Sequence, residues 1–345
     1  MQPPFTVALV GYGYAGKTFH APLIDAEPGL TLAAVVSRDA AKVRADWPDM
    51  RVEGDIATIL ADPAIDVVVI ATPNESHAPL AHAAIAAGKA VVVDKPLALT
   101  LAEARAIADH ASAKGTLLSV FHNRRWDGDF LTIAHAVQTG TIGKVVHFES
   151  HFDRFRPQVR DRWRENPGPG SGVWADLGPH LVDQALCLFG LPTRVLASFG
   201  TLREGAQTDD WAHVVLEYPT LRCVLHAGML VAGGSPRFVI HGSNGSLIKH
   251  GLDPQEGQLL GRLRPGAVGW GQEDTPLTLV DGQGIAHPVA VDPGDYPQFY
   301  AGIAAALAGA PLAVSAQQAL AVMAVVEAAA EAARTGMAQA VADFS

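Results

Sequence analysis

The 345-residue chain has only two cysteines, Cys187 and Cys223, too few for a disulfide framework or a four-cysteine zinc site. A reducing compartment, the cytoplasm, is the expected location. Basic residues are also in short supply. Lys and Arg number 25 against 35 Asp and Glu, a formal charge of −10 that argues against nucleic acid as a partner. Long hydrophobic runs are missing too: the richest, Ala319 to Ala333, contains Glu327 and falls short of the ~20 residues a membrane span needs. The amino terminus lacks the basic stretch and apolar run of a secretory signal, so neither export nor a membrane is expected. What is abundant is apolar material, 49% of the residues, enough for real cores in about two domains.

From Phe5 to about Val120, short Val/Ile runs alternate with longer Ala-rich stretches, the pattern of parallel strands with crossover helices. Strands are expected at Thr6 to Val10, Leu32 to Val36, Asp66 to Ala71, Ala90 to Val93 and Leu117 to Val120. Helices are expected at Pro79 to Ala87 and Leu101 to Ala113, each followed by a stopping glycine, Gly88 and Gly115. After about Lys144 the texture becomes alternating: Val145 to Phe152, Val195 to Thr201, His213 to Tyr218, Arg222 to Met229 and Arg237 to Gly242. Asn244-Gly245 signals a hairpin with a type I′ turn. One helix, Val173 to Phe189, interrupts the strands, and two more, Pro297 to Leu307 and Ala316 to Arg334, close the chain; Gly261 to Gly284 reads as a long polar loop. The expected fold is α/β: a Rossmann domain over 1–122, and over 123–345 an α/β domain with a large, mostly antiparallel open sheet, its final helices free to pack on either domain.

The first strand runs into Gly11-Tyr12-Gly13-Tyr14-Ala15-Gly16, a G-x-G-x-x-G in the strand-to-helix setting that dinucleotide binding requires. The first glycine permits the tight turn, the second lets backbone approach a pyrophosphate, and the third lets helix and strand pack closely. The second strand ends at Ser37-Arg38-Asp39. Ser37 and Arg38 suit a ribose 2′-phosphate and favour NADP; Asp39 on the ribose hydroxyls would favour NAD.

The strand Ala90 to Val93 ends in Asp94-Lys95-Pro96, which places Lys95 at the carboxyl edge of a parallel sheet, where ligands bind. Far along the chain, Asp176 and His180 stand four apart on one helix face. Taken singly, Lys95 reads as a sheet-end partner of Asp94 and His180 as an ordinary helix histidine; together they point to chemistry. Asp176, His180 and Asp183 have a spacing compatible with a metal, but no further His or Cys sits locally to complete a site, so no metal is expected.

These motifs resemble the Gfo/Idh/MocA oxidoreductases over essentially the whole chain. The resemblance rests on Gly11 to Gly16, on Ala71-Thr72-Pro73-Asn74 with His77, on Asp94-Lys95-Pro96, and on Asp176 with His180. More narrowly, Gly16 to Leu23 and Phe152 to Pro157 resemble a bacterial branch that includes NADP-dependent scyllo-inositol dehydrogenases. Asp94 stands where the family commonly has Glu, Gly-Pro-Gly-Ser-Gly replaces a plainer triple glycine, and Pro179 precedes His180.

The resemblance implies nicotinamide-dependent oxidation of a secondary alcohol on a cyclic polyol or sugar, or the reverse reduction. It implies His180 as general base, Lys95 as donor to the reacting oxygen, and Asp176 as the group orienting His180 or a neighbouring hydroxyl. Thr72, Pro73, Asn74, His77, Asp94 and Lys95 would flank the cofactor. Asn123 and Arg124, in a segment resembling one that reaches the family's cleft, are candidate substrate contacts. Arg154 and Arg156 open an arginine-rich stretch, with Arg160, Arg162 and Arg164, that reads as a salt-bridged loop or subunit contact ahead of an anionic-substrate clamp. An open sheet with one uncovered face points to a homodimer or homotetramer. Two rivals share the fold: a non-catalytic dinucleotide-binding regulator and an NAD-dependent glycosidase.

Overall fold

A computed structural model describes residues 3–344. Two compact units form, and neither is continuous in the chain. Unit 1 comprises Met1–Trp126, Pro254–Gly271 and Asp295–Leu320; unit 2 comprises Asp127–Asp253, Gln272–Gly294 and Ala321–Ser345. A cut at residue 122 therefore omits two later segments that return to the first unit.

In unit 1 six parallel strands, β1 (Phe5–Val10), β2 (Leu30–Val36), β3 (Arg51–Glu53), β4 (Val67–Ile70), β5 (Ala90–Val93) and β6 (Leu118–Val120), lie in the order β3-β2-β1-β4-β5-β6. That is the doubly wound dinucleotide-binding order, with its switch point between β1 and β4. Strands β4 and β5 are buried throughout, as near-continuous Val/Ile runs require. The helices between the strands are α1 (Ala21–Ala26), α2 (Ala40–Arg44), α3 (Ile56–Leu60), α4 (His77–Ala86) and α5 (Leu101–Lys114). Helix α5 starts at a capping box in which Thr100 and Glu103 exchange side-chain and backbone bonds, and stops at Gly115, whose φ of 63° a side chain would resist. The core holds Leu9, Val35 and Val69 from the sheet and Tyr296, Phe299, Tyr300 and Ile303 from the distant Asp295–Leu320 segment.

Unit 2 begins with α6 (Gly128–Gln138), β7 (Val145–Asp153) and α7 (Val173–Phe189) and continues with β8 (Arg194–Gly200), β9 (Trp211–Glu217), β10 (Arg222–Gly228), β11 (Phe238–Gly242) and β12 (Gly245–Lys249). Helix α8 (Gln255–Leu260) belongs to unit 1, β13 (Leu277–Asp281) and β14 (Ala286–Val289) to unit 2; α9 (Pro297–Leu307) is in unit 1, and α10 (Ala316–Thr335) runs from unit 1 into unit 2. The eight strands lie in the order β14-β13-β12-β11-β7-β10-β9-β8, antiparallel except for β7 against β10. Along β7, Phe148, Ser150 and Phe152 are buried on the face that meets α7, while His147, Glu149, His151 and Asp153 alternate onto the other.

Two local expectations are corrected. The hairpin between β11 and β12 forms, but Gly242 pairs with Gly245, so the loop is Ser243-Asn244, and neither Asn244 nor Gly245 has a positive φ. Gly245 serves close approach instead: a Cβ there would lie 2.6 Å from the Val280 carbonyl oxygen of β13. The stretch Gly261 to Gly284 is not all loop; it includes β13, an edge-side strand whose alternation is too short and polar to stand out.

Candidate active site

In unit 1 the chemistry-bearing loops gather at the carboxyl ends of β1, β2, β4 and β5. Gly11, at φ 98°, donates to the Val36 carbonyl at 3.0 Å, and a Cβ on it would sit 2.6 Å from the Ala71 carbonyl oxygen. A Cβ on Gly16 would collide with the Gly11 carbonyl. A Cβ on Gly13 would meet nothing within 4 Å. Gly11 and Gly16 are thus demanded by chain packing, whereas Gly13 keeps an outward space open, as the approach of a pyrophosphate requires. The residues present fit a dinucleotide. Tyr12 is buried and donates to Asp46 at 3.1 Å; Tyr14, half exposed, donates to Glu256 at 2.7 Å; Ala15 is already helical.

At the end of β2, Asp39 accepts the Lys42 N–H at 2.9 Å and caps α2, while Ser37 exchanges bonds with the Asp39 backbone. The Asp39 carboxylate caps its own helix through Oδ1, and Arg38 and Asp39 are both exposed at the tip.

Past β4, Thr72, Pro73 and Asn74 lead into α4. Thr72 Oγ1 accepts from Ser76 at 2.7 Å, and the buried His77 ring bridges two loops: Nε2 is 2.9 Å from the Thr72 carbonyl and Nδ1 is 2.8 Å from the Pro96 carbonyl. His77 therefore locks the Thr72 loop to the Lys95-Pro96 loop, whose peptide is cis. Asp94 accepts the Lys95 N–H at 2.9 Å and lies 3.8 Å from His20 Nε2; the other ring nitrogen of His20 is 2.6 Å from the Tyr300 hydroxyl. Burial raises the Asp94 pKa, but the neighbouring His20 ring and the nearby Lys95 charge outweigh it and hold the carboxyl below its usual range. His20 and Tyr300 thus sit beside the strand end that presents Lys95; His20 lies within the Gly16 to Leu23 motif, which assigns it no role, and no motif marks Tyr300.

Asn123 and Arg124 are buried in a 3₁₀ turn, Asn123–Trp126, and Arg124 donates to Glu256 at 2.9 Å and Tyr296 at 3.4 Å. Arg124 and Tyr14 grip the same Glu256 carboxylate, fastening α8 beside the glycine loop.

In unit 2, Asp176 and His180 stand one turn apart near the start of α7. Asp209, from the loop before β9, closes that end: its carboxylate accepts the Trp174 N–H at 2.8 Å and its backbone carbonyl accepts the Val173 N–H at 2.8 Å. The Arg164 guanidinium is 3.3 Å from the Asp176 carboxylate. His180 is 8% exposed, its ring centroid 6.5 Å from that of Phe152, with the Arg154 guanidinium 5.5 Å from the same Phe152 ring. The neighbouring arginines mostly meet carboxylates: Arg162 pairs with Glu165 at 2.7 Å, and the buried Arg203 pairs with Glu165 at 3.1 Å and Asp210 at 2.9 Å. Arg156 is tied by its backbone to Met229, and burial together with the charges of Arg160 and Arg162 lowers its pKa. Among the described residues no group of three or more His, Cys, Asp or Glu is placed to hold a metal, and no helix is long and apolar enough to cross a membrane.

Residues 5–122 match an oxidoreductase family with an NAD-binding Rossmann fold, and residues 130–248 match the GFO/IDH/MocA C-terminal domain. The uncharacterized oxidoreductase YdgJ of Escherichia coli is 51% identical over 95% of this chain and 96% of its own. The scyllo-inositol 2-dehydrogenase (NADP(+)) IolW of Bacillus subtilis is 38% identical over 94% of this chain and 92% of its own. A crystal structure of an oxidoreductase from Klebsiella pneumoniae superposes with a TM-score of 0.93 at 52% identity, covering 99% of this chain and 96% of that one.

Proposed function

The chain belongs to the Gfo/Idh/MocA oxidoreductases, with both their nucleotide-binding and C-terminal domains, and on that footing we propose that it transfers a hydride between NADP and a secondary alcohol of a cyclic polyol or sugar, inositol-like, or the corresponding ketone. The observation that carries this reading is the placement of Asp176 and His180 one turn apart on α7, in a chain that also presents Lys95 at the carboxyl edge of its parallel sheet. A regulator that only bound dinucleotide would need none of the three. The polyol class is supported by the likeness to the inositol dehydrogenase of Bacillus subtilis.

Gly11 to Gly16 hold the pyrophosphate, Ser37 and Arg38 the ribose phosphate, and the loops of Thr72 to His77 and of Asp94 to Lys95 the nicotinamide half. NADP is favoured because Arg38, exposed at the strand tip beside Ser37, can offer its guanidinium to a phosphate, while Asp39 caps α2 through Oδ1. The nicotinamide supplies a hydride acceptor, or a donor in reverse. His180 takes the proton of the reacting hydroxyl, and Lys95 donates a hydrogen bond to the same oxygen as negative charge gathers there. Asp176, held by Arg164, orients the substrate through a neighbouring hydroxyl. Two copies pair through the sheet face that carries His147, Glu149 and His151.

The test is absorbance of reduced nicotinamide with NADP or NAD across a panel of inositols, aldoses and their ketones. Turnover with NADP is expected, falling ~10²–10⁴-fold in His180→Ala and ~10²–10³-fold in Lys95→Met. Tight NADP binding without turnover on any of these compounds would overturn the proposal.

A further inference from the structure

Within unit 1, on the α1 side of the glycine loop, lies a cavity of about 320 Å³, inside the ~300–1,000 Å³ range of small-molecule sites. Of the residues given cofactor or catalytic roles above, only Tyr12 borders it. Part of its lining is apolar: Trp47, Leu259 and Leu263 belong to or pack against the unit's hydrophobic cluster. Its mouth is charged. Lys17 and Arg262 reach Asp46 at 2.6 and 3.4 Å, and Arg264 reaches Asp25 at 3.7 Å. Three cations thus share two carboxylates among the lining residues.

Asp46 is saturated by Lys17, Tyr12 and Arg262, which outweigh its burial and keep its pKa low. The Arg262 and Arg264 side chains are 80% and 72% exposed, so these pairings are weak and most of their donors stay available to a further anion.

Arg262 is the one non-glycine with positive φ, 63°, among the described residues. It follows α8 where the chain turns back on itself: Leu263 donates to Gln258 at 2.9 Å and Arg262 to Leu259 at 3.0 Å, the wrapping bonds of a helix end whose left-handed position is ordinarily glycine. A long cation held in a strained backbone at the mouth of a cavity is a feature that packing does not require.

We propose that this cavity is a second ligand site, taking a small anion with a flat apolar body, an aryl carboxylate or aryl phosphate in class. The body lies against Trp47 and Leu263, and the anionic group meets Arg262 and Arg264 in the two-donor geometry guanidinium offers. The site is separate from the dinucleotide and does not depend on which alcohol the enzyme oxidises.

The test uses the full chain saturated with NADP and phenyl phosphate as probe, read by saturation-transfer NMR and calorimetry, with benzylamine and inorganic phosphate as controls. Saturable millimolar binding of phenyl phosphate is expected, with benzylamine silent and inorganic phosphate weaker. The double variant R262S/R264S should bind about tenfold more weakly. Arg262→Gly separates binding from folding, because it relieves the backbone: affinity should drop severalfold while the melting temperature holds or rises. Equal binding of benzylamine or inorganic phosphate, unchanged affinity in both variants, or no saturable binding to the NADP-saturated chain would each overturn the proposal.

Discussion

Gly172 leaves open the space that the Asp209 carboxylate fills. A Cβ on Gly172 would collide with Asp209 Oδ1, and the residue sits at φ 96°, where a side chain is strained even in free space. The glycine before α7 and the carboxylate from the loop before β9 thus form one joint, and the helix presenting Asp176 and His180 starts from it.

Breaking that joint should cost stability and rate together. Asp209→Ala is expected to destabilise unit 2 by ~1–2 kcal/mol and to lower kcat, because Asp176 and His180 ride on the loosened turn. Asp209→Asn keeps an acceptor oxygen and should restore most of both. Gly172→Ala should be at least as damaging as Asp209→Ala. Thermal melts and steady-state kinetics of the three variants decide; a kcat unmoved by Asp209→Ala would show that the cap is structural only.

Cofactor choice should follow Arg38. Removing its guanidinium in Arg38→Ala is expected to weaken NADP by ~10–100-fold, the worth of one charge-assisted phosphate contact, while leaving NAD nearly unchanged. Ser37→Asp should act in the same direction by repelling the phosphate. Fluorescence titration with both dinucleotides reads the ratio directly.

Much of this was legible in the sequence because strong local signals agree with the global fold. Ala90 to Val93 is a strand from end to end since four consecutive Ala/Val residues suit only a strand buried on both faces. The span of α7 matches its expectation because a glycine at each end and a leucine stripe between them leave little choice. Edge strands were harder. Strand β3, Arg51–Glu53, has one apolar residue between two charges, and nothing local announces that it pairs with β2. Tertiary partners were harder still: His20, Tyr300 and Glu256 matter through residues tens to hundreds of positions away, and no spacing rule reaches that far. The arginine-rich stretch shows the reverse case, since alternating acids already indicated the salt-bridged loop that Arg162, Glu165 and Arg203 form.

A pH dependence of stability should trace to Asp129. It is fully buried, with one carboxylate oxygen bonded to the Phe130 N–H at 2.7 Å, and burial together with the Asp127 charge raises its pKa to about 7. A carboxyl that holds its proton more tightly when folded loses stability as pH climbs from the unfolded value, ~4, through the folded one. Asp129→Asn imitates the protonated form without titrating. Its stability relative to the parent should be nearly level at pH 4, grow toward pH 7, and stay constant above, by ~1–3 kcal/mol. Urea melts at pH 4, 6 and 8 check this; a variant equally offset at all three would place the effect elsewhere.

The return of Asp295–Leu320 to unit 1 has a consequence for how the protein comes off the ribosome. Tyr296, Phe299, Tyr300 and Ile303 fill the same core as Phe5, Leu9 and Phe121, yet they follow Trp126 by at least 296 − 126 = 170 residues. At ~5–20 residues per second, the nascent nucleotide-binding sheet waits roughly 10–30 s with part of its apolar surface uncovered. The unit that starts first thus closes its core only after most of the chain has been made, and a chaperone met during synthesis would meet this surface.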